Sequence, residues 1–172
     1  MLKLTKKADY GLIALCHLAS QSRTEGTNAP ATASAKDIAD TYRIPLPLLS
    51  KVLQALVRNG LLASEQGASG GYRLARDPHE ITALEVIRIM DGPIILTHCF
   101  TEHDGHAECG QHQYCPVREP LRKVHEGILR LLSGIAISDM ASADMPIPAI
   151  SGPISRMVSS IQLSSQPPRV TR

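Results

Sequence analysis

The sequence predicts a mainly helical fold with one small β-hairpin and a long C-terminal helix. Three observations predict it. Two apolar stripes at helical spacing flank a tight break between residues 34 and 58, a hairpin pattern with a glycine-rich turn follows at 61–75, and apolar residues from 117 to 135 recur at alternating intervals of four and three. The composition agrees. The 172 residues include no Trp and one Phe, so the core must come from Leu, Ile, Val, Ala and Met, enough for one domain with extensions but not for two full domains.

Thr5 can cap a first helix in which Leu12, Leu15, Cys16 and Ala19 form a buried stripe, with an end expected near Ser20. Cys16 on that stripe reads as a small reduced hydrophobe. Gln21 to Ala33, rich in Thr, Ala, Gly and Asn, reads as a linker. Ser34 then caps a short helix through Ile38 and Ala39, the chain breaks at Arg43 to Pro45, and a second helix carries Leu49, Val52, Leu53, Leu56 and Val57 on one face before the Asn59-Gly60 stop. Two short helices joined by a tight turn predict a helix-turn-helix. The opposite face of the second helix presents Ser50, Lys51, Gln54 and Arg58, side chains suited to phosphates and base edges in a major groove and equally at home on a solvated surface.

Leu61 to Gln66 and Tyr72 to Ala75 read as strands around the turn Gly67 to Gly71, completing the order of a winged helix. The turn is no nucleotide-binding loop, because it lacks the Lys-Ser/Thr and the helix that should follow. Double-stranded DNA is the partner this arrangement suits. Lys6, Lys36, Ser69, Tyr72 and Arg73 are expected to join the helix face in contacting it. The first 80 residues hold ten Lys or Arg against seven Asp or Glu, and the remainder eight against nine, so the small formal charge of +2 is concentrated where DNA would bind.

Thr82 to Glu85 is a capping-box pattern for a helix through Met90, closed by Gly92-Pro93. Val117, Leu121, Val124, Ile128, Leu131 and Ile135 then form a heptad seam for packing against a second copy, giving a homodimer. The domain plan is 1–92 for the winged helix-turn-helix, 93–115 for a cysteine loop, 116–140 for a long dimerisation helix region and 141–172 for a disordered tail with a weak helical patch at Met157, Val158 and Ile161. No segment approaches the roughly 20 apolar residues of a membrane span. Lys3, Lys6, Lys7 and Asp9 spoil any signal peptide, so a cytoplasmic setting is expected.

In a reducing compartment Cys99, Cys109 and Cys115, three thiols that cannot all pair among themselves, point to a metal or cluster site lacking one ligand or to a redox-reactive loop. His98, His103, His106 and His112 are further candidate ligands. Structural zinc on three Cys and one His, or direct thiol redox sensing, remain alternatives. A thiol-dependent enzyme is a remote one, since the chain has no Cys-x-x-Cys pair, no Ser-His-Asp context and no cofactor loop.

The segments LTKKADYGLIAL, IPLPLLSKVLQALVRNGLL and GASGGYRLA, followed by three cysteines before a long helix, resemble the winged-helix iron-sulfur transcription regulators that include IscR and NsrR. The resemblance covers residues 1 to about 140. It implies a homodimer that binds operator DNA and carries a 2Fe-2S or 4Fe-4S cluster on the cysteine loop, sensing redox state, nitric oxide or iron-sulfur status. One branch of that family places a His three residues after the last Cys. Arg118 stands there and cannot ligate iron. A nitric-oxide-responsive branch takes an Asp from the first helix of the partner subunit, and Asp9 occupies the matching place, so the resemblance implies Cys99, Cys109, Cys115 and a partner's Asp9 as ligands. The nine residues between Cys99 and Cys109 exceed the gap common in the family.

Overall fold

Thr5 opens the molecule's first helix by two means. Its hydroxyl accepts the N–H groups of Lys7 and Ala8 at 3.2 and 3.5 Å. Its own N–H donates to the Asp91 carboxylate at 2.9 Å, and its hydroxyl donates to the same carboxylate, tying the start of this helix to a residue 86 positions away. The computed structural model describes residues 3–24, 32–67, 70–97 and 114–142. The elements are α1 (Lys6–Thr24), α2 (Ala35–Tyr42), α3 (Leu46–Arg58), β1 (Leu62–Glu65), β2 (Gly71–Leu74), α4 (Ala83–Asp91), α5 (Arg118–Ser133) and α6 (Ile137–Ala141).

The helix α1 continues to Thr24 instead of stopping at Ser20, because nothing in Gln21 to Thr24 breaks a helix. Its buried stripe is also rotated from the expected one. Ala8, Gly11, Ala14, Leu15, Leu18 and Ala19 are buried, while Leu12 and Cys16 are half-buried. Small residues account for the rotation: a Cβ at Gly11 would stand 3.4 Å from Val86 and 3.5 Å from Met90, so α1 and α4 approach closely along a face that a search for large apolar residues overlooks.

The amphipathic helix α2 packs on α3 and α3 on α1, and Ile38, Ala39, Leu49, Val52, Leu53 and Leu56 enter one core with α1, as their spacing predicts. The hairpin pairs Leu62 with Leu74, Ala63 with Arg73, Ser64 with Tyr72 and Glu65 with Gly71. A third segment joins it. Ala33, expected in a linker, exchanges hydrogen bonds of 3.1 and 2.8 Å with Tyr72, fastening the approach to α2 along the outer edge of β2. Gly71 is required there, since a Cβ would meet the Ala33 carbonyl oxygen at 2.6 Å.

Thr82 caps α4 by accepting the Glu85 N–H at 3.2 Å, but the reciprocal half of the expected capping box is missing. The Glu85 carboxylate is drawn instead to Arg76 at 2.7 Å, and the backbone at Thr82 pairs with Ala136. That pairing was not anticipated. It comprises Ala83 N–H to the Ile135 carbonyl and Ile137 N–H to the Ile81 carbonyl, both 2.9 Å, and it leads into α6, which packs on α1 with Ile137 fully buried. Ile137 and Ser138, grouped by the sequence with the long helix, thus lie in the core of the helix-and-hairpin unit. In contrast, α5 contains no buried residue, and Ile135, the last position of the heptad seam, lies beyond its C-cap Gly134. Expectations for residues 98–113 and 143–172, the tail patch included, fall outside the described residues.

Candidate nucleic-acid interface and cysteine loop

The helix-turn-helix is built by three local devices. Ser34 and Asp37 form a reciprocal capping box, with the Asp37 N–H donating to the Ser34 hydroxyl at 3.1 Å and the Ser34 N–H to the Asp37 carboxylate at 3.2 Å. The Ser34 hydrogen bonds hold the Asp37 carboxyl below its ordinary range. At the other end of α2, Arg43 adopts the left-handed conformation (φ 53°, ψ 40°), and the Ile44 N–H closes the turn on the Ala39 carbonyl at 2.9 Å. Pro45 and Pro47 then start α3, where a missing N–H costs no intrahelical bond.

With Leu49, Val52, Leu53 and Leu56 buried, α3 turns Lys51, Gln54 and Arg58 fully outward and leaves Ser50 half-buried at the edge of that face. Among the described residues none of the three outward side chains enters an ion pair, and α3 has no acidic residue in its first turn. Lys36 is exposed in the first turn of α2. The His17 imidazole links α1 to the end of α2, lying 3.2 Å from the Tyr42 hydroxyl with the two rings edge to face at 5.5 Å. Burial lowers the His17 pKa more than the Asp37 charge raises it, which favours the neutral ring.

Two of the expected DNA contacts have partners already. Arg73 donates to Glu65 across the wing at 2.6 Å, so its guanidinium is held against the strands, and Lys6 lies 3.7 Å from Asp9 one turn along α1. Tyr72 is half-buried and packs on the core, its backbone committed to Ala33, while Ser69 lies outside the described residues.

Of the thiols, Cys99 and Cys109 lie outside the described residues, as do His98, His103, His106 and His112. Cys115 is a free, half-buried thiol just before α5. The side chain of Asp9 is 39% exposed, its carboxylate 3.7 Å from the Lys6 ammonium. Among the described residues no three His, Cys, Asp or Glu side chains gather at a metal-binding distance. Cys16 stands apart on α1, where burial pushes its thiol up to about 11, the behaviour of an inert core cysteine.

A family model described as an iron-dependent transcriptional regulator, Rrf2, matches residues 4–143. The chain belongs to the Rrf2 family. The match runs from the start of α1 through α6 and includes the cysteine segment between them. The transcriptional regulator NsrR of Geobacillus kaustophilus (strain HTA426) is 32% identical over 139 residues, covering 81% of this chain and 89% of that protein. CymR, the global cysteine regulator of B. subtilis, superposes with a TM-score of 0.63 at 30% identity over 82% of this chain and 97% of its own. IscR of T. potens does so with a TM-score of 0.60 at 27% identity, covering 81% and 85%.

This Rrf2 protein is therefore a DNA-binding transcription regulator of winged-helix fold, and its relatives are named as regulators, not enzymes. Among the described residues no helix is long and apolar enough to cross a membrane. Sequence reasoning missed the left-handed Arg43, the Thr5–Asp91 clamp and α6. Only α6 left a signal, the Ile135-Ala136-Ile137 alternation that matches Ile81-Thr82-Ala83 as a short strand pair.

Proposed function

We propose that the protein is a homodimeric regulator whose affinity for operator DNA is set by an iron-sulfur cluster on Cys99, Cys109 and Cys115, with Asp9 of the partner subunit as the fourth ligand. The observation that carries this is the match to an iron-dependent regulator family through residues 4–143, which includes the reading helix and the three cysteines alike. The relationship to NsrR and IscR supports the cofactor class. The donors fit: Cys115 is a free thiol accessible at the root of α5, and Asp9 is exposed enough for a second subunit to reach. Dimerisation has its own support. The apolar seam of Leu121, Val124, Ile128 and Leu131 on this sixteen-residue helix is covered only in part within one chain, Val124 remaining 39% exposed, and a second copy would complete that cover.

In this reading Lys51, Gln54 and Arg58 enter the major groove, Ser50 flanks them, Lys36, Lys6 and Ser69 meet the phosphate backbone, Arg73 joins them on leaving Glu65, and the half-buried Tyr72 supports the wing from its core side. Two such helices must lie about 34 Å apart to meet successive half-sites. A cluster held by these residues would supply iron–thiolate bonds susceptible to oxidants and nitric oxide. Cys115 would tether the loop to α5, and Asp9 would tether it to the partner's α1, so ligation fixes the spacing of the two reading helices and its loss releases it.

The test is the visible spectrum with iron and acid-labile sulfide content of protein purified without oxygen, beside Asp9→Ala and Cys109→Ala. A coloured protein whose colour is lost in both variants is expected. A colourless protein holding zinc or no metal overturns the cluster and leaves a regulator with structural or directly redox-active thiols. For the DNA face, Lys51→Ala should lower operator affinity about equally across sequences and reduce the salt slope by ~1, whereas Gln54→Ala should cost ~1–3 kcal/mol at one base position.

A further inference from the structure

The first turn of α3 carries no side-chain hydrogen-bond donor or acceptor. Pro45, Leu46 and Pro47 are all exposed, Leu46 to 41%, although the helix has an ample core face for apolar residues. Pro47 heads the outward row continued by Lys51, Gln54 and Arg58 at intervals of four, three and four, and Leu46 stands beside it one turn before Ser50. The backbone leaves a single N–H at this tip, that of Leu46. Pro45 and Pro47 have no N–H, and the N–H groups of Leu48 and Leu49 both donate to the Pro45 carbonyl at 3.0 Å.

In a helix-turn-helix the N-terminal residues of the reading helix are the ones that reach base edges. Most of the major-groove code consists of donors and acceptors, which an apolar tip cannot satisfy and would leave desolvated. The one apolar mark in that groove is the thymine 5-methyl group. We propose that Leu46 and Pro47 form an apolar reading tip that selects thymine by its methyl group at one or two positions of each half-site. The two prolines fix the tip's backbone, so little conformational freedom is lost when it docks. This rests on α3 being the reading helix.

The experiment selects a preferred operator from random duplexes with the full-length protein purified without oxygen, then replaces each thymine singly by deoxyuridine, which removes only the methyl. Loss of roughly fourfold in affinity, equivalent to about 0.8 kcal/mol, is expected at one or two positions per half-site. Leu46→Ala or Pro47→Ala, both at exposed positions and compatible with a helix, should bind thymine and uracil equally at those positions. Indifference to uracil everywhere overturns the tip, as does discrimination that survives in both variants. Should Lys51→Ala and Gln54→Ala leave operator binding unchanged, α3 itself is not the reader. If they weaken binding while uracil is tolerated throughout, only the tip is refuted.

Discussion

Replacing Ile137 by Ala tests whether the C-terminal return of the chain is part of the reading unit's core. Ile137 is fully buried, packed by α6 against α1, while its N–H holds the Ile81 carbonyl at 2.9 Å. The substitution removes three carbons at about 0.8 kcal/mol each and leaves a cavity in a region pinned on both sides by backbone hydrogen bonds, so it should collapse little. A loss of about 3 kcal/mol is expected, with the fold retained. Urea unfolding followed by circular dichroism should show the midpoint falling by roughly 1.5 M for a slope near 2 kcal/mol/M. Runs at several protein concentrations separate this from any change in association. Val124→Ala, at a position 39% exposed in the single chain, is the control and should shift the low-concentration midpoint by less than about 0.5 kcal/mol. A loss below about 1 kcal/mol for Ile137→Ala, or one no larger than the control's, would refute α6 as a core element.

Other expectations follow from single contacts. Gly71→Ala forces a Cβ to within 2.6 Å of the Ala33 carbonyl oxygen and should cost about 1–3 kcal/mol while loosening the Ala33–Tyr72 pairing, read as faster amide exchange at those two residues. Arg43→Gly relieves a left-handed residue that carries a Cβ and should raise the unfolding free energy by about 1 kcal/mol, with an unchanged midpoint counting against strain in the turn. Cys16, with its folded pKa at about 11 against an ordinary 9.0, should be alkylated about a hundredfold more slowly at pH 8 in the native protein than in urea, as peptide mapping by mass spectrometry will show. Its folded pKa is the raised one, so the stability it contributes is complete below pH 9 and is lost as pH climbs towards 11. Asp91→Ala removes both acceptors of Thr5 and should cost about 1–2 kcal/mol, with fraying of the first turn of α1 visible in amide exchange.

The helix-turn-helix and wing were legible because their signals are local: Ser34 and Asp37 cap within three residues, Leu49 to Leu56 repeat within two turns, and the glycine-rich turn separates two short apolar runs. What escaped depends on partners distant in sequence. Nothing near Thr5 announces Asp91, and Glu85 follows a capping pattern yet is taken by Arg76 from the preceding loop. The rotation of the α1 stripe escaped for a different reason, since Ala8 and Gly11 matter by being small and hydrophobic counting gives weight to size. At the site, the outward row of α3 was readable from periodicity alone. The pairing of Arg73 with Glu65 was not, because it required the strand register. Cys115 and Asp9 were readable only as residue types at suggestive places, the one just before α5 and the other in α1.

The short helix α4 holds both ends of the segment that departs from it. The chain leaves at Asp91, whose carboxylate grips the start of α1, and returns at Ile135, hydrogen-bonded to Ala83 at the other end of the same helix. Between those two points the described helix α5 also packs along α4, so both ends of the segment and α5 are carried by one helix about 14 Å long. A segment whose two ends are held on one helix can change length at modest entropic cost without loss of that anchorage. The nine residues between Cys99 and Cys109 belong to that segment of the sequence, so a change of length there falls outside the helix-turn-helix and the wing.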